Sequence, residues 1–225
     1  MTTPARIFWI SVFIVLAGHP CRGSISVNWL DDPVVLQHPP SGWSEQESVD
    51  LNADGIIDFT FAATVSFIGI RAEDLNQYLI YPSPPPNIGG PVEPLSDGFE
   101  IGPSSGDGEL DWFGTNTDFS TLIQCLSGSG GYTCAGRFPG QHAYMGVEFD
   151  IEGATHYGWI DLYVAEYGPY GEIYGWAYET DPGVSILAGA VPEPSTIVLI
   201  MTGSLALLLS RAKRKSANNR LHTYG

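Results

Sequence analysis

The stretch Asp50-Leu51-Asn52-Ala53-Asp54-Gly55-Ile56-Ile57-Asp58 carries the residue types for divalent-cation chemistry. Side-chain oxygens fall at its first, third, fifth and ninth places, with glycine at the sixth. Ca²⁺ takes about six to eight oxygens, and short side chains at every second position can converge on one ion around a sharp turn. The Ile56 carbonyl would fill the seventh place. The expected ligands are therefore Asp50, Asn52, Asp54, the Ile56 carbonyl and Asp58, and the ion would be structural. A turn whose Asp and Asn side chains bond their own backbone explains the same residues without metal. Both readings stand at this point.

The Asp-x-Asn-x-Asp-Gly spacing resembles the calcium loops of EF-hands, dockerins and integrin repeats. The resemblance implies calcium, with two departures. Phe61 stands at the twelfth place, where the EF-hand has a bidentate Glu. The flank Phe59-Thr60-Phe61 reads as a strand, not a helix.

Other chemical candidates are weaker. Gly102-Pro103-Ser104-Ser105-Gly106 fits G-x-S-x-G, but a nucleophile elbow needs a buried strand before it and a helix after it. Glu100-Ile101 precedes, and Gly-Asp-Gly-Glu follows within two residues. His38, His142 and His156 lack zinc spacing. His156 opens a strand and is expected to be a structural hydrogen-bonding residue. The Gly-Ser run at 127–131 lacks the lysine of a P-loop. No carboxylate pair stands out as a glycosidase pair. No enzymatic activity is expected. Tyr157, Trp159 and Tyr163 share one strand face, and Tyr174, Trp176 and Tyr178 share one face of the next. Such rows suit a platform for sugar rings, with Tyr157, Trp159, Tyr163 and Trp176 its core, or else they fill an interior.

Those residues need a scaffold, and the pattern is that of strands. Gly and Pro punctuate the chain every few residues. Phe59, Phe61, Val65 and Phe67 alternate with smaller residues around Ala62-Ala63. Met145, Val147, Phe149 and Ile151 alternate with Gly146, Glu148, Asp150 and Glu152, which predicts a half-buried strand with its carboxylates in water. Gly153-Ala154 turns the chain. Ile160, Leu162 and Val164 form the inward face of the return strand, opposite Trp159, Asp161 and Tyr163. Gly168-Pro169-Tyr170-Gly171 turns it again, into strands at 173–179 and 184–187. Tight turns between consecutive strands favour an antiparallel meander. A single sheet would leave an apolar face wet, so the expected fold is all-β, an antiparallel β-sandwich or jelly roll. The prolines from Pro82 to Pro91 exclude a central strand, and residues 82–111 read as a long exposed loop. Residues 118–124 fit strand or helix.

The chain has 225 residues and a formal net charge of −16. Between Ser24 and Ala190 only Arg71 and Arg137 face 24 acids, so that segment carries 2 − 24 = −22. Such a surface repels phosphate backbones and excludes nucleic-acid binding, while suiting cations. Cys125 and Cys134 are the two cysteines of this segment, and in an exported protein they are expected to form a local disulfide.

The two ends set the compartment. Arg6, the apolar run Ile7–Ala17 and small residues at Cys21 and Gly23 predict a signal peptide over 1–23. Gly18-His19-Pro20 is a poor lipobox, so Cys21 is not expected to be lipidated. At the other end stand Pro192-Glu193-Pro194, a charge-free run at 197–209, and the basic cluster Arg211, Lys213, Arg214 and Lys215. The expected segments are a β domain (24–188), a linker (189–195), a transmembrane sorting helix (196–210) and a basic cytoplasmic tail (211–225). The span is short against the roughly 20 residues a bilayer asks for, and its flanking charges place the preceding chain outside.

This order of parts closely resembles the PEP-CTERM sorting signal of Gram-negative and related bacteria. The resemblance implies recognition by an exosortase-type membrane protease and transient anchoring through the C-terminal helix. It also implies a final location at the cell surface or in an extracellular polysaccharide matrix. The block at 145–189, with His156-Tyr157-Gly158-Trp159 and Gly175-Trp176-Ala177-Tyr178-Glu179, resembles a recurrent ending of such proteins and implies a secreted β domain without a known activity. The expected role is structural or adhesive. A carbohydrate-binding module is the alternative, and a carbohydrate-active hydrolase a distant one.

Overall fold

The computed structural model describes residues 24–40, 44–82, 90–114, 117–128 and 131–192. The expected signal peptide (1–23), Glu193, Pro194, the expected span (196–210) and the tail (211–225) lie outside the described residues. Among the described residues all regular structure is β, and every sheet is antiparallel. The first strands are β1 (Ile25–Gln37), β2 (Ser44–Val49), β3 (Phe59–Thr64), β4 (Phe67–Ala72), β5 (Gln77–Ile80), β6 (Glu100–Ile101) and β7 (Asp111–Phe113). There follow β8 (Ser120–Gly128), β9 (Gly131–Ala135), β10 (Gln141–Ile151), β11 (Ala154–Val164), β12 (Tyr170–Glu179) and β13 (Ile186–Leu187).

The long hairpin β10–β11 runs in unbroken register from Gln141↔Val164 to Ile151↔Ala154. Its turn is Glu152-Gly153, one residue earlier than the pattern predicts, with φ of 54° and 86°. Two left-handed residues match the twist of the strands they join. β11 then pairs with β12, as expected. The meander stops there. Ile186–Leu187 pairs with Glu100–Ile101 instead of extending the sheet. The place beside β12 belongs to β1, giving the order β1-β12-β11-β10-β5-β7. Pro33 falls in the register break between Trp29 and Val34 on this edge strand, where a missing donor costs no ladder bond.

The second sheet has the order β2-β3-β4-β8-β9. The undecided run at 118–124 enters β8. At its edge Cys125 and Cys134 face each other in register and form the expected disulfide. One apolar cluster takes Phe59, Phe61, Ile68, Ile70 and Ile123 from this sheet and Tyr78, Met145, Val147, Ile160, Leu162 and Ile173 from the other.

A second cluster corrects two expectations. Residues 82–111 are not simply an exposed loop. Residues 83–89 lie outside the described residues, but Val92, Leu95 and Ile101 are buried. Leu95 bridges to Tyr144, and its apolar neighbours pack with Ile186 and Ala188 over Leu79, Tyr157, Trp159 and Ala177. The prolines keep the start of this segment out of a ladder, yet its apolar residues still need cover from water. The outer face of β10 is likewise not simply wet. Gly146 lies under Leu79 and Leu95, where a Cβ would come within 2.8 Å of Leu79 Cδ1. Glu148 is half-buried and accepts a hydrogen bond from Gln77.

Candidate functional site

The Asp50–Asp58 loop joins β2 to β3. Its turn is held by its own side chains. Asp50 accepts from the backbone N–H groups of Asp54 (3.3 Å) and Gly55 (2.8 Å). Asn52 Oδ1 accepts from Asp54 N–H (3.2 Å), and Asp54 Oδ1 accepts from Ile56 N–H (2.8 Å). Asn52 Nδ2 donates to Asp54 Oδ2 at 2.9 Å. Ala53 and Gly55 take left-handed φ of 60° and 89°. Asp50, Asn52 and Asp54 thus gather at one exposed turn, and the chain reverses without help from an ion.

Asp58 does not join them. It is only 4 % exposed. Its Oδ2 accepts from Leu51 N–H (2.8 Å) and its Oδ1 from Asn76 Nδ2 (3.1 Å). Asn76 Oδ1 in turn accepts from Asp150 N–H of β10 at 3.0 Å, and Trp176 Nε1 donates to the Leu51 carbonyl at 3.1 Å. Asp58 is therefore a buried tie between the loop and both sheets, which removes it from the expected ligand set. Burial pushes its carboxyl up to about 6, opposed by the Leu51 and Asn76 bonds and reinforced by Asp50 and Asp54. Among the described residues, no three His, Cys, Asp or Glu side chains form a metal-holding group.

The aromatic rows divide differently from the expected platform. Tyr157 and Trp159 are buried in the second cluster, Trp159 completely. Trp176 and Tyr178 pack on the first cluster, between the two sheets. The cause is a register shift opposite Asp161/Leu162 that leaves Tyr174 without a cross-strand partner on β11. A bulge of this kind reverses which alternate residues face out. Tyr157, Trp159 and Trp176 are thus excluded as an exposed sugar platform, because each is taken up in packing. Tyr163 remains half-exposed on the outer face of the six-stranded sheet.

Beside Tyr163 lies a group that the sequence reading missed. Glu172 pairs with Tyr163 across β11–β12. Tyr170 and Tyr174 both donate their hydroxyls to the Glu172 carboxylate. These bonds, Tyr170's first, hold the Glu172 carboxyl below its ordinary range. Donation to Glu172 pushes the Tyr174 hydroxyl up to about 12. The His142 ring stacks on Tyr174 with centroids 4.8 Å apart, and its Nε2 donates to Asp161 at 2.7 Å. Tyr170, Glu172 and Tyr174 alternate at the start of β12, a signal present in the sequence. The bulge that ends their row has no such signal.

The remaining candidates fall to structural roles. Ser104 lines a cavity of about 340 Å³ with Phe99, Glu100, Gly102, Pro103, Ser105 and Ser185, and no histidine. Ser105 Oγ is held by the Glu100 carbonyl and Gly102 N–H. His156 is buried and donates from Nδ1 to the Glu179 carbonyl at 2.9 Å.

The fold persists close to the C-terminal motif. Ala188 is buried and donates to the Phe99 carbonyl, and Ala190 N–H donates to Leu187. Val191 and Pro192 are exposed. Residues 190–215 match the PEP-CTERM protein-sorting motif. The motif is consistent with an exosortase substrate and implies export with transient anchoring in a membrane. The match begins at Ala190, two residues before the described part of the chain ends. No curated protein and no solved structure matches the chain.

Proposed function

We propose that this chain is a non-enzymatic surface protein. Its two larger sheets form a β-sandwich that an exosortase-type protease releases from its membrane anchor. Its role is structural or adhesive in an extracellular polysaccharide matrix. The PEP-CTERM match at 190–215 carries the reading. The acidic surface supports it by suiting a salty exterior, and the disulfide suits an oxidising one. Mass spectrometry of the surface-associated protein should find no peptide beyond the span. An intact tail through Lys215 on most exported molecules would overturn the reading.

A weak calcium site is a second part of the proposal, supported by the gathering of Asp50, Asn52 and Asp54 at one turn. These three side chains and the Ile56 carbonyl would supply oxygens, with water completing the set in place of Asp58. When bound, the ion would neutralise the carboxylates and brace the turn. An incomplete set points to a Kd of about 10⁻⁴–10⁻³ M, as in extracellular modules. Millimolar Ca²⁺ should raise the melting temperature well beyond the effect of equal Mg²⁺, and Asp54→Ala should remove the difference. Equal gains in wild type and variant would mean that Ca²⁺ only screens the acidic surface.

A further inference from the structure

The outer face of the six-stranded sheet is covered along one half and open along the other. The covered half carries Leu79, Tyr157, Trp159 and Ala177 under Leu95, Ile101 and Ile186. The open half carries Glu172 with tyrosines on three sides. Tyr170 and Tyr174 flank it along β12 at the roughly 6.6–6.8 Å spacing of alternate strand residues. Tyr163 stands opposite it on β11. His142 stacks on Tyr174 and is more than half exposed. Trp29 extends the strip. It is 49 % exposed and lies across β12 at Gly175, where a Cβ would come within 2.8 Å of its ring.

The strip holds no Lys or Arg, and its one basic side chain, His142, is tied to the buried Asp161. Glu172 and Asp161 supply carboxylates. Arg71 and Arg137 are the sole Lys or Arg between Ser24 and Ala190, and both are engaged elsewhere. Arg71 pairs with Glu73 against Phe119, and Arg137 pairs with Glu93 over Tyr81. Glu172 spends its hydrogen bonds on two phenol hydroxyls, which fix it in place without neutralising it. A fixed, ionised carboxylate set among tyrosines that direct their hydroxyls at it recognises an organic ammonium group chiefly by ion pairing and charge-assisted hydrogen bonding. A row of rings beyond it offers stacking surface to a ligand longer than one ammonium.

We propose that the strip around Glu172 binds an amino-sugar polymer. Ammonium groups of its sugars sit at Glu172, and the C–H faces of neighbouring sugars lie on Tyr163, on Trp29 and on the face of Tyr174 away from His142. Charge complementarity selects this occupant over acidic or neutral glycans. The inference deepens the matrix reading by naming the class of polysaccharide, but its test does not depend on sorting.

The probe is the glucosamine tetramer, added to the purified full chain in detergent at low salt and followed by tryptophan fluorescence and calorimetry. The tetramer should bind, and the N-acetylglucosamine tetramer should bind at least about tenfold more weakly. Glu172→Gln, which keeps the side-chain shape, should cost about tenfold or more. Tyr174→Leu, which keeps the charge, should cost several-fold. Glu109→Gln, on the exposed loop before β7, should change nothing. Equal binding by wild type and Glu172→Gln would overturn the proposal, as would equal binding of the acetylated tetramer. Tetralysine bound as tightly as the amino sugar, and equally sensitive to Glu109→Gln, would reduce the effect to general attraction by the acidic surface and also overturn it. A chain that binds the tetramer but is never processed in its host would leave this site standing and overturn the sorting reading alone.

Discussion

Trp159→Ala is expected to lower the unfolding free energy by about 3–5 kcal/mol, the range for truncating a large buried aromatic. Trp159 is fully buried, with Trp29 at 5.5 Å and Tyr144 at 5.2 Å between ring centroids. Alanine would leave a void between β11 and the segment above it. At roughly 2–4 °C per kcal/mol for a chain of this size, the melting temperature should fall by about 6–20 °C. Trp159→Phe should cost far less. Trp159 Nε1 is buried without a hydrogen-bond partner. Phenylalanine gives up contact area but also removes an unsatisfied donor, whose desolvation costs about 1–3 kcal/mol. Urea unfolding of the three proteins distinguishes the possibilities. A solvent-facing tryptophan on a sugar platform would tolerate alanine to within about 0.5 kcal/mol. A loss that small would show that the Pro-rich segment does not cover this face.

Trp159 also marks where sequence pattern stops being informative. Alternation along β11 separates Ile160, Leu162 and Val164 from Trp159, Asp161 and Tyr163, and that separation holds. Period two says that the faces differ. It does not say whether a second layer covers one of them. The cover here comes from residues 91–110, whose prolines read as exposed loop because proline lacks a ladder donor. Their Val92, Leu95 and Ile101 are too few and too unevenly spaced for a strand signal. The partner at the far edge of β12 was equally hidden. Ile25, Val27 and Trp29 alternate, but Asp31-Asp32-Pro33 breaks the pattern at the register shift, and β1 went unrecognised. The bulge at Tyr174 has the largest consequence. One extra residue moves Trp176 and Tyr178 inward and leaves Tyr174 beside His142 on the open face. The hairpin β10–β11 was legible throughout, because local alternation and a Gly-containing two-residue turn agree. The Asp50–Asp58 loop was legible in its turn. It was not in Asp58, whose partner Asn76 is eighteen residues away.

Stability is expected to fall as pH rises between about 4 and 7, with Asp58 the largest single cause. Asp58 titrates near 6 in the folded chain, against an ordinary value of 3.8. A raised carboxyl value means that the folded chain holds the proton more tightly than the unfolded chain. Well below 3.8 both states are protonated, and Asp58 contributes no difference. Through the window the unfolded chain sheds its proton first, and stability is lost. Above about 6 the folded chain carries the buried charge in full. Two pH units correspond to about 3 kcal/mol. Burial also raises Glu148 and Asp161, which act in the same direction. Glu172 is lowered and acts oppositely, but it is only partly buried, and screening by solvent discounts such interactions. Asp58→Asn has the shape of the protonated acid. It still accepts the Leu51 N–H but turns an amide NH2 toward the Asn76 donor, so it should flatten the curve while giving up the Asn76 bond. Asp58→Ala removes the acceptor and leaves the Leu51 donor and Asn76 without it, at a cost of about 1–3 kcal/mol at either pH. Urea unfolding from pH 4.5 to 7.5, in EDTA so that no divalent cation offsets the charge, measures all three. Parallel curves for wild type and Asp58→Asn would mean that Asp58 is already ionised at low pH, and that its bonds to Leu51 and Asn76 outweigh its burial.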